Sequence, residues 1–414
     1  MKKISLLTAV CVLFSCHGHK ESTPLEFNFE QAERFMEVMN YLEAKDSSGF
    51  TTEKLSDELI DQHIESNRRD VVLNRKIDTL LSLSVYDDFS ETITSYVKDT
   101  SYKGREAYRT SFLFLPKTRI DMSAGMSDTW ANFWEENHDA KVFHILNKIK
   151  REQKEITKKS LSASTQLLPK DFTPPATTEI IFCFDGNRGS FTTDSQIFME
   201  MFSFARDDFS IDQFTNVLSH ELHHIYFGYW FTNQLPSKFK SEKQEALFNY
   251  MEPIIFEGIA QQINYDDYSD EVKSLYKDSL LIGELFQQMT TSIRKIASAN
   301  DPHAAFEEEN NKIWSNRKIY LNKYLPNGYK ESTFPFAPTV VYYIGYHLYN
   351  SILQKGGKEK LNFVIENSDC LLEEYNKIYS TDLLIPTIPD DMVKLWKETF
   401  KKAGSNIVQT DNDD

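Results

Sequence analysis

Apolar residues recur every three or four positions along most of this chain, a spacing that places them on one face of an α-helix. Four such stretches lie at residues 31–42, 55–63, 71–83 and 130–150. Dense charge occupies their other faces, which is typical of solvated helices. The pattern therefore predicts a helical region over residues 27–170.

A different pattern follows a proline-bearing linker at residues 169–178. Residues 179–184, Glu-Ile-Ile-Phe-Cys-Phe, are a compact run of β-forming side chains, and a glycine-bearing turn comes next. We expect a strand here, which is either an ordinary member of a sheet or an exposed strand that binds an extended peptide by strand addition. The predicted fold is mainly α with a small β-sheet, the α+β class.

Helical spacing returns after residue 209. Ser210 is a suitable N-cap, and Gln213 three positions later completes a capping box. Another apolar segment covers residues 252–263, where Pro253 suits the first turn of a helix.

The last third of the chain predicts two further helices. One starts at residues 339–349 and ends near the glycine pair at 356–357, and the other covers residues 390–402. An acidic tail occupies residues 404–414. Residues 176–403 are therefore expected to form a second region that follows the helical region at 27–170.

The first sixteen residues have the pattern of a leader. A basic start, Met-Lys-Lys, precedes an apolar run at residues 4–14, and Cys16 directly follows a serine. This ending resembles the bacterial lipobox, so we expect a signal peptide at 1–16, a lipid on Cys16 and a tether at 17–26. The protein is then exported and anchored to a bacterial membrane, with the outer membrane favoured, facing the periplasm or the cell surface. The alternative is an ordinary secretory signal in which Cys11 and Cys16 are incidental.

Composition narrows the class of protein. The formal net charge of −16 argues against nucleic-acid binding, which needs basic patches. Hydrophobic content of 40% and charged content of 26% are those of a globular protein. Without the leader, Cys183 and Cys370 remain, either as a disulfide or as two separate thiols.

The strongest chemical signal is the hexapeptide at residues 219–224, Ser-His-Glu-Leu-His-His. Its H-E-x-x-H spacing places His220 and His224 one turn apart on the same helix face, where both can bind one metal ion. Glu221 then lies close to a water on that metal. His223 is an alternative ligand in an H-x-x-H pair with His220. We prefer His224, because that choice also places a base beside the water and leaves His223 facing substrate or supporting the site.

Glu257 is the candidate third ligand. It stands alone in an apolar helical segment, where a buried carboxylate needs a charge partner or a metal. Two histidines and one glutamate are an established ligand set for catalytic zinc, with one position left for water. We expect Zn²⁺ here, with Glu221 assisting attack of the zinc-bound water on a carbonyl. The helix that contains residues 342–347 is a candidate source of an oxyanion donor.

Residues 220–224 followed by Phe-Glu-Gly-Ile-Ala at 256–260 resemble the gluzincin metallopeptidases. The resemblance implies a gluzincin-like core with Glu257 as third zinc ligand, and it gives Tyr342, three residues before Gly345, the role of stabilising the oxyanion. A similar order of motifs over residues 176–355 occurs in bacterial lipoproteins described as zinc-dependent proteases of unknown function. Gln261 departs from the thermolysin branch, which has an aspartate there that orients a zinc-bound histidine.

These observations predict a lipid-anchored zinc metallopeptidase that hydrolyses peptide bonds, with residues 176–403 as its zinc-peptidase-like catalytic region. A hypothesis from another class is a lipoprotein that binds peptide or glycan on an inactive peptidase scaffold. A third retains the zinc but hydrolyses another bond, as an amidase or esterase.

Overall fold

A computed structural model describes most of the chain between residues 24 and 401. The described residues are 24–45, 54–87, 89, 104–115, 118–119, 130, 138–169, 172–174, 177–184, 190–193, 195–204, 210–234, 239–268, 270–324, 339–379 and 387–401. The predicted leader at 1–16, with Cys16, and the tail at 404–414 lie outside them.

The first half of the chain supplies helices and every described strand. Its elements are β1 (Leu25–Asn28), α1 (Glu30–Lys45), β2 (Lys54–Leu55), α2 (Asp57–Arg69), α3 (Val71–Leu81), α4 (Arg105–Phe114), β3 (Thr118–Arg119), α5 (His138–Thr165), β4 (Thr178–Cys183), β5 (Phe191–Thr192) and β6 (Gln196–Glu200).

The second half is helical throughout its described part. Its elements are α6 (Ile211–Thr232), α7 (Glu242–Asn264), α8 (Asp270–Leu275), α9 (Ser279–Ser298), α10 (Pro302–Tyr324), a π-helical turn (Val340–Ile344), α11 (Gly345–Glu366), α12 (Leu371–Tyr379) and α13 (Asp390–Thr399). The α+β prediction is therefore confirmed.

The larger sheet has four strands in the order β1-β4-β6-β5. Strand β4 runs parallel to β1 on one side and to β6 on the other, while β5 runs antiparallel to β6. The predicted strand is thus confirmed, but its interpretation as an exposed strand is wrong. Its partner β1 is remote in sequence, so a local pattern does not reveal that both sides of β4 are paired.

Helix α6 contacts the sheet as well as neighbouring helices. On one side Phe214 stacks on Phe182 of β4 with ring centroids 5.9 Å apart, and α5 packs along α6. Helix α7 packs on the other side and also contacts α9, α10 and α11. The two helices that carry the candidate ligands therefore lie side by side in a buried layer.

Two further sequence predictions have a structural outcome. Helix α11 is interrupted at Gly357, whose φ of 79° is not helical, which confirms the predicted helix end near the glycine pair. Cys183 and Cys370 are free thiols, so of the two alternatives the structure has separate thiols. None of the described helices combines the length and apolar character needed to cross a bilayer.

Candidate metal centre

Helix α6, which contains the H-E-x-x-H sequence, is capped at its N-terminus by side-chain hydrogen bonds. The Gln213 N–H donates to Ser210 Oγ at 3.1 Å, and the Ser210 N–H donates to Gln213 Oε1 at 2.9 Å. The predicted capping box is therefore confirmed. Leu218 and Leu222 are fully buried, and this packing fixes the rotation of the helix about its axis.

Helix α7 brings Glu257 opposite the two histidines. The prediction that Pro253 lies in a first helical turn is wrong, because α7 begins at Glu242 and Pro253 lies in its interior. Ser241 caps the helix, with its Oγ accepting from the Gln244 N–H at 3.2 Å. A proline inside a helix removes one backbone hydrogen bond. The packing of α7 against α6, α9, α10 and α11 stabilises the helix despite this loss.

His220, His224 and Glu257 converge on one point. The two Nε2 atoms are 3.0 Å apart, and Glu257 Oε2 lies 3.4 Å from that of His220 and 3.5 Å from that of His224. The side chains are 4%, 13% and 20% exposed in that order, so the cluster is largely shielded from solvent. Among the described residues these three form a group able to hold a metal ion.

The spacing of the three atoms fits zinc. A tetrahedral ion with bonds of about 2.0–2.1 Å holds its ligand atoms roughly 3.3 Å apart. Glu257 Oε2 is buried and forms no hydrogen bond with the described residues, although a buried carboxylate oxygen needs a partner. Two imidazoles and one carboxylate are also the donor types that zinc takes in catalytic sites.

Electrostatics in the cluster favour a cation. Burial alone would raise the pKa of Glu257, but His224 and His220 outweigh burial and hold that pKa below its ordinary value. Burial also opposes a charge on His224, yet Glu257 raises the pKa of this histidine. The cluster therefore contains an ionised carboxylate in a shielded place.

Glu221 lies beside the cluster in the same cavity. Its side chain lines that cavity together with His220 and His224, and only 8% of the residue is exposed. Burial raises the pKa of Glu221, even though the two histidines act in the opposite direction. This carboxyl group accepts a proton more readily than an ordinary glutamate does.

His223 points away from the cluster. It is fully buried, its Nδ1 lies 2.9 Å from the Ser164 carbonyl oxygen of α5, and its ring stacks on Phe227. Burial lowers its pKa to about 3, so the ring is neutral. The expectation that His223 faces substrate is therefore wrong. Helix α5 occupies that side of α6, and the contact of His223 with Ser164 joins the two helices.

Tyr342 lies in the cavity wall, whereas its neighbours do not. It lines the cavity from the π-helical turn that leads into α11. Tyr343 is instead fully buried against Tyr276, with ring centroids 4.0 Å apart. His347 lies against Tyr375, its Nε2 3.1 Å from the hydroxyl. Of the 342–347 segment, Tyr342 is the residue that reaches the candidate metal centre's cavity.

Gln261 belongs to a tyrosine cluster one turn beyond Glu257. Its Oε1 accepts hydrogen bonds from the hydroxyls of Tyr268 and Tyr276, and the side chain is fully buried. In the described structure Gln261 is thus packed among tyrosine side chains.

The cavity has a volume of about 840 Å³ and extends well past the cluster. One wall is residues 190–193, which contain the edge strand β5. Another is the face of α6 between His220 and Thr232, with Asn233 just past the end of the helix. Sequence reasoning missed β5 and Glu252, which also line the cavity. The β-forming Phe-Thr-Thr at 191–193 was a signal for β5, but Glu252 had no local signal.

Fold and site together define the class of protein. It is a mostly helical α+β protein with a shielded His-His-Glu cluster, in which one helix provides both histidines of H-E-x-x-H and a later helix provides the glutamate. Residues 77–383 match a family described as "Putative zinc dependent peptidase (DUF5700)". The match spans most of the chain, so the chain belongs to the DUF5700 family. It confirms the resemblance to zinc-dependent proteases of unknown function. None of the curated proteins and none of the solved structures matches the chain.

Proposed function

We propose that the protein is a zinc metallopeptidase that hydrolyses peptide bonds on a gluzincin-like core. One observation carries the proposal, the convergence of His220, His224 and Glu257 in a cavity that Glu221 and Tyr342 also line. The family description supports the same class of activity.

In this proposal His220, His224 and Glu257 hold Zn²⁺. When bound, zinc acts as a Lewis acid that acidifies a water molecule and polarises a carbonyl group. The shielded position of the three side chains strengthens these electrostatic effects, since the local dielectric is lower than that of water.

Glu221 is the proposed general base. It takes the proton of the attacking water and then gives it to the amine that leaves when the peptide bond breaks. The raised pKa of its carboxyl group suits the first step, because a carboxylate with a higher pKa is a stronger base.

Tyr342 is the proposed donor to the oxyanion. As water attacks, the carbonyl oxygen gains negative charge, and a hydroxyl held across the cavity from the base stabilises that charge by donating a hydrogen bond. Tyr342 comes from an element separate from α6 and α7, which matches this requirement.

The edge strand β5 favours a peptide as substrate. In the described part of the sheet β5 is the last strand, and residues 190–193 line the cavity beside the cluster. An extended peptide binds to such an edge through main-chain hydrogen bonds. The strand-addition role considered for residues 179–184 is therefore proposed for β5 instead.

We also propose that the protein is exported and anchored through a lipid on Cys16, with the outer membrane favoured. The basic start, the apolar run at 4–14 and the serine before Cys16 support this. Cys16→Ser should move the full-length protein from the membrane fraction to the soluble fraction. A variant that stays in the membrane fraction would contradict lipid anchoring.

The peptidase proposal is tested with purified protein, metal analysis and a broad peptide library read by mass spectrometry. We expect about one zinc per chain. Glu221→Gln should retain zinc and lower cleavage by roughly 100-fold or more, and Glu242→Gln, an exposed change on α7, is the matched control. Zinc-loaded wild type that cleaves no peptide contradicts the proposal. In that case peptide or glycan binding favours the non-catalytic alternative, and hydrolysis of other amides or of esters favours the third.

A further inference from the structure

The cavity continues beyond the metal cluster between α6 and α7. Phe256 packs over Gly228, with a ring carbon 3.3 Å from the position of an added Cβ, and lies 5.4 Å from the Phe231 ring. Phe248 of α7 lies 6.4 Å from the Phe231 ring of α6, whereas Glu257 lies against His220 and His224, so the two helices run in opposite directions. Residues before Phe256 therefore approach the C-terminal part of α6. Glu252, five residues before Glu257, lies about 7.5 Å further along the helix axis. It lines the cavity there together with Thr232 and Asn233.

Among the described residues, Glu252 has none of the lysine partners that other shielded carboxylates have. Glu309 contacts Lys295 and Lys312 at 2.9 and 2.8 Å, and Glu374 contacts Lys360 and Lys377 at 2.7 and 2.9 Å. Within the described part of the chain no side chain forms an ion pair or a hydrogen bond with Glu252, and none of the described cavity-lining residues is lysine or arginine.

The pKa of Glu252 therefore differs from that of a carboxylate paired with lysines. Burial raises the pKa of Glu252 to about 7, and no cation of the described residues offsets this effect. Burial acts on Glu309 in the same direction, but its two lysines bring that pKa down to about 2. A cation supplied from outside the described structure would therefore stabilise the ionised form of the partly buried Glu252 carboxylate.

An aromatic ring lines the same cavity. Tyr229 lines this cavity and is 56% exposed, although its helix is mostly buried. A cation over an aromatic face is attracted to the ring, and a carboxylate nearby adds a direct ion pair. Tyr229 and Glu252 thus provide both kinds of contact in one cavity.

We propose that Glu252 binds a positively charged group of the substrate, so that the site selects peptides with a cation within one or two residues of the bond that is cleaved. The inference rests on the proposed peptidase function, of which it names the substrate class. An extended chain advances about 3.3–3.6 Å per residue, so the distance from Glu257 matches this placement. The cation is an ammonium or guanidinium, either a basic side chain or the amino terminus of a short peptide.

Binding tests the inference without turnover. Zinc-loaded Glu221→Gln protein is titrated by calorimetry with octapeptides of one neutral sequence in which a single position, scanned along the chain, is lysine or the uncharged norleucine. Both sets are acetylated at the amino terminus. A third set has norleucine and a free amino terminus, which separates the two sources of the cation.

We expect at least one charged peptide to bind about tenfold more tightly than its norleucine counterpart. Adding Glu252→Gln should reduce this ratio to about one, and Glu252→Asp should retain part of it. Glu242→Gln removes the same charge from an exposed position of α7 and should leave the ratio unchanged. Thermal melting of each variant verifies that it is folded.

The outcomes separate the inference from the proposed function. Equal binding of charged and neutral peptides, or a ratio that Glu252→Gln does not change, overturns the inference even when wild type cleaves peptides. A ratio that depends on Glu252 in a protein without peptidase activity supports the inference and contradicts the proposed function. If none of the peptides binds, the inference is overturned, and cleavage of the peptide library by wild type still decides the proposed function.

Discussion

Gly258 of α7 and Gly345 at the start of α11 lie in direct backbone contact. A Cβ added to Gly258 would be 2.5 Å from the carbonyl carbon of Gly345, and one added to Gly345 would be 2.4 Å from the Ile254 carbonyl oxygen. Glu257 immediately precedes one glycine, and Tyr342 lies three residues before the other. The contact at which the two helices cross therefore determines the distance between Tyr342, the proposed oxyanion donor, and Glu257, the proposed third ligand.

Gly258→Ala and Gly345→Ala should each destabilise the protein by about 2–4 kcal/mol, because rigid backbone blocks the new methyl group. Thermal melting measures the loss. Gly283→Ala is the matched control, since nothing lies within 4 Å of its added Cβ inside helix α9. That variant should be neutral or more stable by up to about 1 kcal/mol. Equal melting temperatures for all three variants would contradict backbone contact at the crossing.

Replacing a proposed zinc ligand should weaken metal binding, whereas replacing His223 should weaken only the fold. We expect His220→Ala, His224→Ala or Glu257→Ala to lower zinc affinity by roughly 100-fold or more. His223→Ala loses the contact with Ser164 and should cost about 1–3 kcal/mol of stability. Zinc content and melting temperature, measured on the same samples, separate the two effects. Full zinc content in Glu257→Ala would mean that another residue is the third ligand.

Tyr342→Phe should lower kcat by about 100-fold and leave zinc content unchanged, since it removes one hydrogen bond that strengthens during the reaction. Tyr343→Phe provides the comparison. The Tyr343 hydroxyl is buried without a hydrogen-bond partner among the described residues, so its removal should not reduce stability or kcat. Steady-state kinetics on a cleaved library peptide gives both values. A similar fall in kcat for the two variants would contradict a specific role for Tyr342.

Acid should destabilise the protein through His347. Burial lowers the pKa of His347 to about 4, whereas an unfolded histidine has a pKa of about 6.5. The unfolded state therefore binds more protons in this interval, and the stability present above pH 6.5 is lost as the pH falls towards 4. Since the side chain is only partly buried, we expect a loss of about 1–2 kcal/mol.

Denaturant unfolding at pH 7 and pH 4.5 measures this loss. His347→Gln should show a smaller difference between the two pH values than wild type does. His303→Gln, at a side chain that is 45% exposed, is the comparison variant and should behave as wild type. An unchanged difference in His347→Gln would exclude His347 as the source.

Sequence predicted those parts of the site that depend on neighbouring residues. The capping box of Ser210 and Gln213 and the one-turn spacing of His220 and His224 follow from local geometry, and both are present. Glu257 stood out because an isolated carboxylate in an apolar helix needs a partner. The structure indeed places it against the two histidines.

Local sequence patterns could not predict the contacts between segments that are remote in the chain. Pro253 indicated a helix start, but packing of α7 on several helices outweighs the local preference of one residue. His223 faces α5 because of how α6 is rotated, which its spacing from His220 does not reveal. Glu252 is significant because it lines the cavity and has no ion-pair partner among the residues that the structure describes.

The pairing of β1 with β4 makes the beginning of the described chain inseparable from the rest. Leu25 lies opposite Thr178 and Asn28 opposite Ile181, so a few residues from far upstream cover one side of an almost entirely buried strand. A polypeptide shortened to residues 176–403 would present that side as an open, apolar β-edge, which invites aggregation. We expect such a fragment to be lost to inclusion bodies, so the N-terminal segment protects the solubility of the chain as well as completing its sheet.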